Sequence, residues 1–220
     1  MSVHEAAAEI CRVGRSLYDR GYVHASAGNI SVRLPDDAGF LITPTDACLG
    51  QLEPAALAHV DAQGVQRSGA PASKTLALHR SIYAAEPNAH GVIHTHSTHL
   101  VALTLAGVWS TADILPPITP YYVMKVGHVP LIGYHRPGDP RVAERVAEAI
   151  AAARTNGAPL RAVMLDRLGP NVWHATLAQA MAVLEELEET ARLWLMTVPK
   201  PTPLTEPQLD ELRQTFGARW

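Results

Sequence analysis

The run Val92-Ile93-His94-Thr95-His96 carries two histidines, one residue apart, at the end of an apolar stretch. Read as a strand over Gly91 to His96, it turns residues i and i+2 to the same face of a sheet. His94 and His96 can then reach one metal ion, and Zn²⁺ is the usual partner of such clusters. A pair of surface histidines on a half-buried strand is the plainer reading of the same spacing. The rest of the chain decides between them.

Composition narrows the field. The chain has 220 residues, 47% hydrophobic and 18% charged. That suits one globular domain, residues 1–220, with a sizeable core and a C-terminal extension from about residue 200. A net charge of −3 points to neither a nucleic-acid nor a membrane-surface partner. Cys11 and Cys48, the only cysteines, lie in apolar contexts without paired spacing and read as reduced packing residues, which suits a cytoplasmic protein. Met1 to Glu5 is not a signal peptide, and no apolar run approaches the ~18–20 residues of a membrane span.

Punctuation by glycine and proline cuts the chain into short elements. Ala6, Ile10, Val13 and Leu17 lie on one face of a helix that Gly21 ends. A glycine-bearing turn at Ala27 to Asn29 enters a strand to Arg33, and Phe40 to Thr43 is a second strand ending at Pro44. Asp36-Asp37 between them signals a hairpin. Gly64 to Pro71 reads as a loop, and Ser73 as the N-cap of a helix to about Ala85. After the histidine strand, Thr98 to Leu105 turns helical and Asp113 to Pro120 is irregular. Val126 to Tyr134 reads as a strand. Asp139-Pro140 opens a helix to about Ala153. Strands at Arg161 to Leu165 and Asn171 to Trp173 precede a long amphipathic helix, Leu177 to Met196. From Pro199 the chain is a weakly helical tail that packs on a neighbour or stays mobile. Strands and helices mix without strict alternation, which predicts an α/β fold with a mixed or antiparallel central sheet.

Four pieces occur in one order: Gly28-Asn29-Ile30-Ser31, Ile42-Thr43-Pro44-Thr45, Ser73 ahead of a helix bearing His79, and His94-Thr95-His96. This order resembles the class II aldolase/adducin family over about residues 5–197. The resemblance implies a three-layer α/β/α sandwich around a mostly antiparallel sheet. It also implies a divalent metal, usually Zn²⁺ with Mn²⁺ as another choice, and a homotetramer with active sites at subunit interfaces. Leu115 to Gly127, Val129 to Ile132 and Arg136 to Pro140 are similar to the subgroup that decarboxylates 3-oxo-tetronate 4-phosphates. That activity yields dihydroxyacetone phosphate and CO₂ from a small phosphorylated sugar acid. The metal would act as a Lewis acid on the developing enediolate. An aldolase cleaving a sugar phosphate, and a non-catalytic adducin-like interaction domain, are the alternatives the resemblance leaves open.

A phosphate site follows from the same segments. Asn29 supplies an amide, Thr45 and Ser73 supply hydroxyls, and a helix N-terminus near Ser73 favours an anion. Gly28 permits close backbone approach, and Lys74 adds a positive charge.

The chain departs from the family pattern at three positions. The family's acid/base glutamate, four residues before the helix histidine, falls on Thr75. Its third metal histidine falls on Leu168, in Asp166-Arg167-Leu168-Gly169-Pro170. A glycine after Thr-Pro-Thr/Ser falls on Asp46. Replacement ligands are sought among His128, His135, His174 and Asp166, with His135 taken beside His94 and His96. Loss of CO₂ from a β-keto acid tolerates these losses better than aldol cleavage, because it needs an electron sink and a later proton donor rather than a base. Lys74 and Tyr122 are the catalytic candidates for that donor.

Overall fold

The computed structural model describes residues 2–220. Its centre is an eight-stranded sheet in the order β4-β3-β2-β1-β5-β8-β7-β6. The strands are β1 (Asn29–Arg33), β2 (Phe40–Ile42), β3 (Ala58–Val60), β4 (Gln66–Ser68), β5 (Gly91–His94), β6 (Leu131–Ile132), β7 (Ala162–Leu165) and β8 (Gly169–His174). Every pairing is antiparallel except β6 with β7. Six α-helices complete the described fold: α1 (Val3–Asp19), α2 (Leu76–Ala85), α3 (Thr98–Ala106), α4 (Arg141–Thr155), α5 (Leu177–Met196) and α6 (Glu206–Phe216).

Strand alternation sorts the core into two layers. Ile30, Val32, Ile93 and Val172 face one way, against α1 (Ile10, Val13, Leu17), α3 (Leu100, Leu103) and α5 (Leu184, Leu187). Val92, Val163, Leu165 and Trp173 face the other way, against α2 (Leu78, Ile82) and α4 (Val146, Ile150). This is the three-layer α/β/α sandwich with a mostly antiparallel sheet that the sequence implied. No helix among the described residues is long and apolar enough to cross a membrane.

Several local expectations are corrected. Ser73 does not cap α2. Its hydroxyl accepts the Thr75 N–H (3.3 Å), and the helix begins only at Leu76, with no side-chain cap. The stretch read as a loop at residues 64–71 contains edge strand β4, whose three residues are all exposed and so show no apolar alternation. Within Val126 to Tyr134 only Leu131 and Ile132 form a strand. A π-helical turn, Tyr122–Val126, precedes it and ends at Gly127, whose φ of 80° suits glycine. The tail packs on its own chain: α6 sets Leu209 and Leu212 against Val123.

Candidate active site

The site grows from one row across three central strands. Asn29 of β1 lies opposite His94 of β5, and His94 lies opposite Asn171 of β8. Alternation places all three on the α2/α4 face, because Ile30, Ile93 and Val172 belong to the other layer. A hydrogen-bonded chain orients the first of them. Buried, neutral Tyr83 donates to Ser31 Oγ (2.8 Å), Ser31 donates to His79 Nδ1 (2.7 Å), and His79 Nε2 donates to Asn29 Oδ1 (2.6 Å). Asn29 therefore keeps its Nδ2 hydrogens as donors. Burial, and secondarily the charge of His94, lower the His79 pKa to about 3 and keep its ring neutral.

His94 is buried. Its Nδ1 donates to the Pro170 carbonyl (2.8 Å), which leaves Nε2 carrying the lone pair. Burial, reinforced by His96, lowers its pKa to about 4. His96 is half-buried and edge-on, with ring centroids 5.0 Å apart. Its pKa is lowered by burial and then by nearby His24. Two neutral imidazoles thus sit side by side, as metal binding requires.

The segments expected to take a phosphate adjoin one another. Pro44 bridges Ala72, Thr45 N–H donates to the Pro71 carbonyl (2.9 Å), and Ser73 N–H donates to the Thr43 carbonyl (3.1 Å). These contacts hold Thr45 beside Ser73. Thr43 Oγ1 accepts the Ile30 N–H (3.2 Å), which ties both to Asn29. At Gly28 a Cβ would lie 2.7 Å from the His94 carbonyl, so glycine is what lets β1 enter beside His94. Asp46 keeps the left-handed conformation (φ 54°) that suits the family's glycine, and its carboxylate pairs with Lys74 (3.3 Å).

A cavity of about 100 Å³ opens over His94. Lys74, Thr75 and Ala77 bring the start of α2 to it, and Asp139, Val142 and Ala143 bring the start of α4. Arg136 supplies a second cation, while Leu165 and Leu168 form an apolar wall. Asp139 is neutralised by Arg141, whose N–H (3.0 Å) and guanidinium (2.7 Å) it accepts; these bonds hold its carboxyl well below the usual range. A larger cleft of about 700 Å³ lies beside α5, and its wall sets Glu185, Glu186 and Glu189 against Arg20, Lys125 and Arg161.

Two sequence-marked residues do not join this site. Tyr122 is fully buried in the α1/α3/α5 layer, on the other side of the sheet, and its hydroxyl has no partner among the described residues. Burial and Asp113 push its pKa well up, and its place across the sheet keeps it from the His94 cavity within this chain. His135 bonds its own loop, Nδ1 to the Gly133 carbonyl (2.7 Å), and does not complete a metal group. Among the described residues no cluster of three His, Cys, Asp or Glu is placed to hold a metal. The other two histidine candidates are also engaged elsewhere, His128 Nδ1 with Asp113 (2.8 Å) and His174 Nδ1 with the Ala175 N–H (2.8 Å), and Asp166 joins no such cluster.

Sequence reasoning missed Arg136 as a site residue, although its motif was noted. It also missed Asn171, whose buried amide has no partner on either atom among the described residues. Pairing of β8 with β5, which puts Asn171 beside His94, has no signature in a single sequence.

A row of polar residues across three central antiparallel strands, with the loops at Thr45 and Ser73 beside it and the start of α2 over it, is the arrangement of a class II aldolase-like protein. The chain belongs to the family described as Class II Aldolase and Adducin N-terminal domain, which matches residues 8–195. Within it, the chain is 60% identical over 219 residues to a 3-oxo-tetronate 4-phosphate decarboxylase of Cupriavidus necator, covering 96% of each protein. It is 30% identical over 190 residues to an L-fuculose phosphate aldolase of Methanocaldococcus jannaschii, covering 86% of this chain and 96% of that protein. The crystal structure of YgbL from Escherichia coli superposes with a TM-score of 0.87 at 39% identity, covering 96% of this chain and 99% of that one.

Proposed function

We propose that this chain decarboxylates a 3-oxo-tetronate 4-phosphate, giving dihydroxyacetone phosphate and CO₂, in the cytoplasmic breakdown of a four-carbon sugar acid. The observation that carries this reading is the cavity over His94. It joins two cations, Lys74 and Arg136, and the N-terminal ends of α2 and α4 around one small space. Such a space suits a substrate that is anionic at both ends.

Gly28, Asn29, Thr45 and Ser73 take the phosphate, assisted by Lys74. Arg136 and the start of α4 take the carboxylate. The bond between the carboxylate carbon and C2 then breaks. Its electron pair moves to the C3 carbonyl as an enediolate, and C2 gains a proton. Lys74 is the cationic group at the cavity able to give that proton, and the helix ends favour the negative oxygen. Leu165 and Leu168 keep water from the departing CO₂.

The family resemblance implies Zn²⁺ or Mn²⁺, and His94 with His96 are the residues that would hold it. Two imidazoles fall one short of the three protein ligands that catalytic zinc sites use. No step above is therefore routed through a metal. A homotetramer is the assembly we propose. It is favoured by exposed apolar side chains such as Leu105 and Trp109, and light scattering of the purified protein tests it.

The test of function incubates the protein with a 3-oxo-tetronate 4-phosphate and follows CO₂ and dihydroxyacetone phosphate, expected in equal amounts. Release of an aldehyde from a sugar phosphate instead would establish the aldolase reading. The adducin-like reading is favoured by Thr75 and Leu168 lining the cavity where the family has an acid/base and a ligand. No turnover of either substrate would put it first.

A further inference from the structure

We infer that the His94–His96 pair is a two-ligand site closed on its third side by leucine. This chain then does not retain a divalent ion by itself, and Leu168→His converts the pair into a three-imidazole site. The β7–β8 turn lies directly against the pair. Pro170 accepts from His94 Nδ1. A Cβ on Gly169 would fall 1.9 Å from the Thr95 carbonyl and 3.2 Å from His96 Cα. Leu168, next in the turn, lines the same cavity as His94. The side chain placed to complete the set is therefore an apolar one with no electron pair to give.

The other histidines do not replace it. His79 spends both ring nitrogens on Ser31 and Asn29. His99 Nδ1 bonds Glu188 (2.8 Å), which also accepts the backbone N–H groups of His99 and Leu100 at the start of α3. His59 bonds the Ala38 carbonyl (2.8 Å), and His128, His135 and His174 are engaged away from the cavity. His24 comes near His96, yet no three-ligand group forms among the described residues. Metal affinity follows ligand number and donor type, so a pair of imidazoles backed by leucine holds an ion far more weakly than three.

The test uses no substrate, so its outcome is independent of CO₂ release. Full-length protein is loaded with Zn²⁺ or Co²⁺, dialysed against metal-free buffer and analysed for metal, and competition with a chromophoric chelator gives the affinity. Wild type is expected to retain well under one ion per chain. Leu168→His is expected to retain about one, with affinity raised at least ~100-fold and with Co²⁺ absorption bands of a low-coordinate site. Leu168→Cys is the second variant should the histidine fail to fold, and circular dichroism confirms the fold of each. One tightly held ion per chain in wild type, lost in His94→Ala, would overturn the inference. So would a folded Leu168→His and a folded Leu168→Cys that both gain no affinity, or a gain that survives His94→Ala.

Discussion

His79 shows how one buried ring serves both stability and the site. It is fully buried and neutral, with its pKa lowered to about 3 by burial and then by His94. In the unfolded chain the same ring titrates near its ordinary value of 6.5. Between those values the unfolded state binds one more proton, so its contribution is complete above pH 6.5 and is lost as pH falls toward 3. From pH 7 to 4.5 the expected loss is about 2–3 kcal/mol from this group alone. Urea denaturation at both pH values checks it, and His79→Gln should flatten the difference; an unchanged slope would place the acid sensitivity elsewhere. Arg136 acts on the ligand rather than the fold. It is exposed, so Arg136→Gln should leave the denaturation midpoint unmoved while raising KM about 10-fold or more, the scale of a lost charge-assisted contact. An unchanged KM would remove Arg136 from the carboxylate end. At this scale the sequence was informative where a residue type has a local reason. Asn29, Thr45, Ser73 and His94 are brought together by the strand-end and loop segments that announced them. Asn171 was not legible, because its place beside His94 depends on a pairing between strands about 75 residues apart.

The elements most open to sequence reading were those whose own pattern decides them. Amphipathic α1, α4 and α5, and apolar β7, appear close to their expected bounds, whereas β5 ends at His94 and leaves His96 just beyond the strand. Elements decided by their surroundings did not announce themselves. Edge strand β4 has no buried residue, and the aliphatic run after Val126 is broken by Gly127 and Pro130 into a turn and a two-residue strand. The β7–β8 hairpin shows why its exact shape matters. Arg167 is left-handed (φ 61°), and Gly169 has φ 136° with the Thr95 carbonyl where a Cβ would stand. Gly169→Ala must either strain the backbone or push the hairpin off the His94–His96 segment. A loss of about 2–4 kcal/mol is expected in chemical denaturation. The bond from His94 to Pro170 should loosen with it, seen as a shifted His94 ring resonance in NMR. A stability equal to wild type would mean that the hairpin packs more softly than this geometry requires.

At the scale of the whole molecule the sheet separates two tasks. One face carries the cavity and its cations, and the other carries the larger apolar core, with the tail added to its margin. The tail was expected either to pack on a neighbour or to stay mobile. It follows the chain's own surface instead, because the π-helical turn presents Val123 and Met124, which need a cover, and α6 offers Leu209 and Leu212, with Ala218 just beyond its end. Trp220 completes the cover. It stacks on His128 with centroids 4.5 Å apart, meets Tyr122 edge-on at 5.5 Å, and gives its carbonyl to Arg213 Nε (3.0 Å). Truncation after Lys200 exposes Val123, which is fully buried at present, and removes two buried leucines. At about 1.5–3 kcal/mol for each leucine, the loss should be about 3–6 kcal/mol. Trp220→Ala alone should lose about 1–3 kcal/mol. Both are read from urea midpoints at a fixed protein concentration, so that any change of assembly does not enter the comparison. If truncated and full-length chains unfold at the same urea concentration, the tail contributes no net stability and its ordered packing on the turn is incidental. If the truncated chain loses stability but Trp220→Ala does not, the leucines of α6 hold the tail and the aromatic stack merely follows them.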